Sequence, residues 1–120
     1  MKQISESEML HRAAAYCSAS ERCIQDVEKK IKAAGLAGEE SDRIVSRLLQ
    51  ERFIDESRFA RYFVNDKLRF NKWGRVKINY EMQRKGIPSS IRSEALEGID
   101  EQEYRSILLS LLKSKKKVTR

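Results

Sequence analysis

The side chains in this 120-residue chain that could do chemistry are chiefly cationic, and they are unevenly placed. Residues 58–92 carry Arg58, Arg61, Lys67, Arg69, Lys72, Arg75, Lys77, Arg84, Lys85 and Arg92 against only Asp66 and Glu81. Residues 1–57 hold nine bases and eleven acids, residues 93–104 hold five acids and no base, and residues 105–120 hold six bases and no acid. A net charge of +7 concentrated in this way is the footprint of a polyanionic partner or an acidic protein groove. The bland alternative is a solvated basic helix face. Arg61, Lys67, Arg69, Lys72, Trp73, Arg75, Lys77, Arg84 and Lys85 are the residues expected to form a partner-binding face.

Catalytic chemistry finds little support. His11 is the only histidine and has no acid or nucleophile at a useful spacing. Cys17 and Cys23 are the only cysteines, and a pair without further ligands falls short of the four that a structural zinc site needs. They are expected to be reduced, small and half-buried. There is no glycine-rich phosphate loop, and neither a cofactor nor a metal is expected.

Around the basic residues lies a second feature. Trp73, Val76 and Tyr80 form an apolar stripe opposite Ile78 and Met82 on the helix expected over 74–85, flanked by Lys72, Arg75, Lys77 and Arg84. Aromatics supply contact area and arginines bind phosphate or carboxylate. The competing reading packs the stripe on the helix over 59–69 or on a neighbouring unit, and for Val76 and Tyr80 it is the preferred one.

The elements that must position these groups are helical and repeated. Ile54-Asp55-Glu56 precedes Phe59, and Ile99-Asp100-Glu101 precedes Tyr104 at the same spacing. Each phrase reads as a helix start, with Asp accepting from first-turn N–H groups and the aliphatic residue packing on the aromatic. Glu103, three residues after Asp100, would complete a capping box. Ile4-Ser5, followed by Glu8 and Met9, is a weaker third copy. Val27 and Ile31 precede Gly35-Leu36 just as Ile78 and Met82 precede Gly86-Ile87. That pattern reads as a helix end, with a left-handed glycine and a following aliphatic residue folded back. Recurrence of both signals marks a tandem repeat.

Helices are expected over about 6–17, from Ser18 or Ser20 to Ala34, over 39–52, 55–69, 74–85 and 89–97, and from Asp100 to Leu112, after which the lysine-rich end reads as irregular. Inward residues include Leu10, Ala14, Ile24, Leu49, Ile91 and Leu96. Charged residues make up 36% of the chain, it has one proline, and no alternating run long enough for a strand is present. The fold class is therefore all-α, as tandem three-helix repeats: 1–54, 55–99, and 100–120 as the first helix of a shortened third repeat plus a basic tail. No apolar run reaches the length of a membrane span and no signal peptide is visible, so a cytoplasmic monomer is expected.

The stretch Leu48-Leu49, Phe53-Ile54-Asp55-Glu56-Ser57-Arg58-Phe59-Ala60, Phe63-Val64, then Lys72-Trp73-Gly74, Ile78, Glu81-Met82 and Lys85-Gly86-Ile87 resembles the RecX regulatory family. The likeness covers residues 48–96 closely and the first repeat loosely. Met82 stands where the family usually has Leu. The resemblance implies tandem three-helix units in an elongated, curved bundle with no enzymatic activity. It implies binding in the groove of the RecA recombinase filament, restraint of filament extension, ATP hydrolysis and strand exchange, and, in some members, contact with single- or double-stranded DNA. A different class remains: a direct DNA-binding three-helix protein such as a transcriptional regulator, with Arg75, Lys77 and Asn79 on its reading helix.

Overall fold

The computed structural model describes residues 4–118, with side chains over 4–112. Among them are seven helices and no strand: α1 (Glu6–Ala19), α2 (Ile24–Ala33), α3 (Glu39–Gln50), α4 (Glu56–Arg69), α5 (Arg75–Arg84), α6 (Ser89–Glu97) and α7 (Glu101–Val118). They form two compact units, Met1–Phe59 and Ala60–Arg120.

The three recurring helix-start phrases are each capped. Ser5 Oγ accepts from the Glu8 N–H at 3.1 Å, and Asp55 Oδ1 accepts from the Arg58 N–H at 3.0 Å. Asp100 Oδ1 accepts from the N–H groups of Gln102 and Glu103 at 2.8 and 3.2 Å. The capping box at Asp100 does not close, because the Glu103 carboxylate pairs with Arg69 instead. A guanidinium is a stronger partner for a carboxylate than one backbone amide. The start of α2 also differs from expectation: its N-cap is Cys23, whose N–H donates to Asp26 Oδ2 at 3.3 Å, and neither Ser18 nor Ser20 caps it.

The matched helix ends have the same geometry. Gly35 and Gly86 take φ of 95° and 81°. Leu36 N–H donates to Ile31 O at 3.3 Å and Ile87 N–H to Met82 O at 3.1 Å. Leu36 and Ile87 are thereby turned under their helices and buried, the apolar contact that accompanies this type of helix end. Arg52 and Lys72 take the left-handed conformation without being glycine, at φ of 63° and 58°.

In the first unit α1, α2 and α3 pack on one another around Met9, Ala13, Cys17, Val27, Ile31, Leu36, Ile44, Val45, Leu48 and Ile54. Leu10, Ala14 and Ile24 reach the edge of this core, and Leu49 turns outward. Neither cysteine is part of a disulfide, and both are buried, more deeply than expected. Burial pushes the Cys17 thiol above its ordinary range, so at neutral pH it is a thiol and not a nucleophilic thiolate. In the second unit Ala60, Phe63, Val64, Leu68, Ile78, Met82, Ile87, Ala95, Ile99 and Ile107 are buried. Ala95 takes the inward position on α6, while Ile91 and Leu96 are half-buried. α7 continues to Val118, beyond the expected break at Leu112, because Lys113–Lys117 contains no helix breaker and lysine is a good helix former. The side chains of that basic segment lie outside those described.

Candidate partner-binding face

Nine residues were singled out by type and spacing, and all of them lie in the second unit. Trp73 is positioned first. Its N–H donates to Lys67 O at 3.1 Å as the chain leaves α4, and the turn is made by the left-handed Lys72. The indole is half-buried and stands edge-on to Phe63, with centroids 6.3 Å apart and planes at 65°. The preference for edge-to-face geometry follows from the ring quadrupoles. For Trp73, packing on α4 is therefore realised.

Two ammonium groups then converge on the indole. Lys77 Nζ lies 4.6 Å from the ring centroid and Lys67 Nζ 5.3 Å, the latter also 5.5 Å from Phe63. Lysine so placed is held by the ring's negative face, at an energy of about 0.5–1 kcal/mol where exposed. The result is a fixed pair of cations on an aromatic platform. Lys67 also approaches Asp66 at 3.7 Å.

The stripe beyond Trp73 does not pack inward. Val76 is 86% exposed and Tyr80 57%, so the preferred packing reading is overturned for both. They line an open groove of about 670 Å³ with Gly74, Arg75, Lys77, Glu81 and Tyr104. The physical reason is room: α5 buries Ile78 and Met82 on one face, and Val76 and Tyr80 project from the other.

Arg69 and Arg75 are occupied by α7. Arg69 donates to both Glu103 carboxylate oxygens, at 2.8 and 3.3 Å. Arg75 pairs with Glu101, its guanidinium lies 4.2 Å over the Tyr104 ring, and its backbone N–H donates to the Tyr104 hydroxyl at 3.2 Å. Arg84 and Lys85 sit at the other end of α5, where cations complement the helix dipole, and Arg84 lies 3.7 Å from Glu81. Arg61 and Lys72 are exposed and form no ion pair among the described residues. The structure thus gathers Lys67, Trp73 and Lys77, engages Arg69 and Arg75 with α7, and places Arg84 and Lys85 at the C-terminal end of α5.

Sequence reasoning missed Phe70. It follows the last residue of α4 and is 80% exposed, beside exposed Asn71 and Lys72. A large aromatic ring in water beside a basic turn is an anchor of the kind interfaces use. Its signal was present in the Phe-Asn-Lys-Trp-Gly junction, but aromatics count as core by default.

Asn79, cast above as a base reader, accepts from Arg92 Nε at 2.9 Å, and Arg92 also donates to Ile87 O. Arg75 is likewise engaged with α7. The α5 helix therefore does not present a free Arg/Asn pair for base edges. Among the described residues no cluster of His, Cys, Asp or Glu could hold a metal ion. No helix among them is long and apolar enough to cross a membrane.

Comparison with known proteins follows the same lines. A family model described as RecX, second three-helix domain, matches residues 55–96. A regulatory protein RecX of Prosthecochloris aestuarii is 33% identical over 91 residues, covering 76% of this chain and 60% of that protein. Another, from Lactobacillus johnsonii, is 26% identical over 113 residues, covering 94% of this chain and 42% of that protein. The chain therefore spans roughly half the length of the curated relatives it matches. The crystal structure of RecX from Lactobacillus salivarius superposes with a TM-score of 0.80 at 20% identity, over 91% of this chain and 71% of that one. A second RecX crystal structure gives 0.75 at 21% identity, over 93% and 59%. At such identities the structures establish the all-α, three-helix-domain fold.

Proposed function

We propose that this chain, whose second three-helix domain matches that of RecX regulatory proteins over residues 55–96, is a negative regulator of the RecA recombinase. In this reading it lodges as a cytoplasmic monomer in the groove of the RecA–DNA filament and restrains filament extension, ATP hydrolysis and strand exchange. Its role is to bind, not to catalyse. It is built as repeats 1–54 and 55–99 followed by the opening of a third over 100–120.

The observation that carries the reading is the Lys67–Trp73–Lys77 platform, with Phe70, Val76 and Tyr80 exposed around it. Exposed aromatic and aliphatic groups amid excess cations suit an acidic, partly apolar groove better than a bare phosphate backbone. Arg61, Lys67, Arg69, Lys72, Trp73, Arg75, Lys77, Arg84 and Lys85 remain the contact residues of this proposal, with Phe70 added. Direct reading of duplex sequence is disfavoured by the engagement of Asn79 with Arg92.

The test is ATP hydrolysis by the cognate recombinase on single-stranded DNA with this protein titrated in. Inhibition well below stoichiometric amounts is expected, since one molecule in a groove blocks many subunits. Undiminished hydrolysis by a chain of full helicity would overturn the proposal.

A further inference from the structure

The five acids of residues 93–104 have no place in the binding face, yet two of them are inserted into it. Glu103 accepts from Nε and one terminal nitrogen of Arg69, and Glu101 takes the Arg75 guanidinium. Tyr104 completes the contact by lying under Arg75 and accepting its backbone N–H. Two carboxylates and a ring on one helical turn thus fill the positions that an acidic partner would take. The rest of the helix is weakly seated. Between Glu101 and Leu112 only Ile107 is buried, while Leu109 is 53% exposed and Leu112 61%. An element held by exposed ion pairs and little apolar burial sits at the low end of local stability.

We infer that the first turn of α7 is an internal competitor, which occupies Arg69 and Arg75 until a polyanionic partner displaces it. The inference rests on the binding face assigned under Proposed function and adds its regulation. Occupancy reduces the apparent affinity to the intrinsic affinity times the fraction of molecules in which the arginines are released. Screening by salt opens the same contact, so ionic strength acts on the latch and on the partner together.

The experiment compares Glu101→Gln/Glu103→Gln with Glu94→Gln/Glu97→Gln, which makes the same charge change on α6 at exposed positions. The first probe is inorganic polyphosphate, which needs no recombinase. The α7 variant is expected to bind it about fivefold more tightly than the wild type, and the α6 variant less than about twofold. Equal shifts in both variants overturn the latch. A second measurement needs no variant: polyphosphate added to the wild type should speed amide hydrogen exchange in α7, and unchanged protection also overturns it. The recombinase filament is the second probe. Tighter filament binding by the α7 variant extends the latch to the proposed partner. Tighter polyphosphate binding with no filament binding by any form would leave the latch standing and remove the proposed function instead.

Discussion

The two units share a framework and differ in what they leave outside. In the first, cations are held by their own neighbours. Arg22 lies 3.8 Å over the Tyr16 ring and Lys30 4.7 Å, Arg43 pairs with Glu6 at 2.8 Å, and Arg58 with Glu21 at 2.8 Å. In the second, the same cation-on-aromatic device places Lys67 and Lys77 at a surface that also exposes Phe70, Val76 and Tyr80. Where α2 carries Gln25 and Lys29, α5 carries Val76 and Tyr80. Repetition supplied a scaffold, and the outward face of one copy is free to be a contact surface because its inward face already closes the core.

The comparison breaks first if the scaffolds are not equivalent. Ile31 and Met82 hold matched positions and are both fully buried. Truncating either to Ala should cost about 2–5 kcal/mol, as the removed atoms leave a cavity. Urea denaturation measures both, and a cost under about 1 kcal/mol at one of them would end the equivalence. The next effect separates the surfaces. Lys67→Glu/Lys72→Glu/Lys77→Glu should weaken filament binding at least about tenfold, since each reversal sets like charges against an anionic groove. Lys29→Glu/Lys32→Glu, exposed on α2, should change it little. Equal losses from both sets would mean that net charge alone governs binding.

What the sequence made legible follows from how local each signal is. The caps at Ser5, Asp55 and Asp100 and the glycine ends at 35 and 86 depend on three to six consecutive residues, and they appear where expected. The inward residues of α2 and α5 follow from the helical period alone. The candidate face was legible as a set of types in one region, whereas its geometry depends on distant partners. Nothing near Glu103 in sequence announces Arg69, and nothing near Asn79 announces Arg92. Those pairings formed only when separate helices met, and they changed a capping box into an ion pair and a base reader into an acceptor. Leu49 was misjudged for a related reason: periodicity says which face is apolar, not where the neighbouring helix stops covering it.

A smaller effect sharpens the match between helix ends. At Gly35 an added Cβ meets nothing within 4 Å, so Gly35→Ala tests backbone conformation alone. The left-handed geometry should cost it about 1 kcal/mol, and Gly86→Ala a similar amount. Lys72 adopts this geometry with a side chain in place. Lys72→Gly should therefore be stabilising by a few tenths of a kcal/mol, the strain relieved exceeding the added freedom of the unfolded chain. Thermal denaturation gives the signs, and a destabilised Lys72→Gly would mean that this side chain contributes to the fold as well as to the face.

The smallest effect is a pH dependence confined to the first unit. Glu56 Oε2 accepts from the Ile24 N–H at 2.9 Å and so serves the orphan amides that open α2 from the first turn of α4. Burial nonetheless raises its pKa, the Ile24 hydrogen bond opposes the shift, and the charges of Glu28 and Asp26 add to it. Because the folded value lies above the unfolded one, this group's contribution is fully present below the unfolded pKa and is lost as pH rises through the folded pKa. Glu56→Gln keeps an acceptor for Ile24 and cannot ionise. Relative to that variant, the wild type should gain stability as pH falls from neutral toward the ordinary glutamate range, measured by urea denaturation. Glu6, whose pKa Arg43 lowers by hydrogen bonding, acts in the opposite sense, and its contribution fades only at more acidic pH. A wild type that instead loses stability against Glu56→Gln over this range would show that the hydrogen bond to α2 outweighs burial, and that the first unit joins α4 to α2 through a carboxylate that must stay charged.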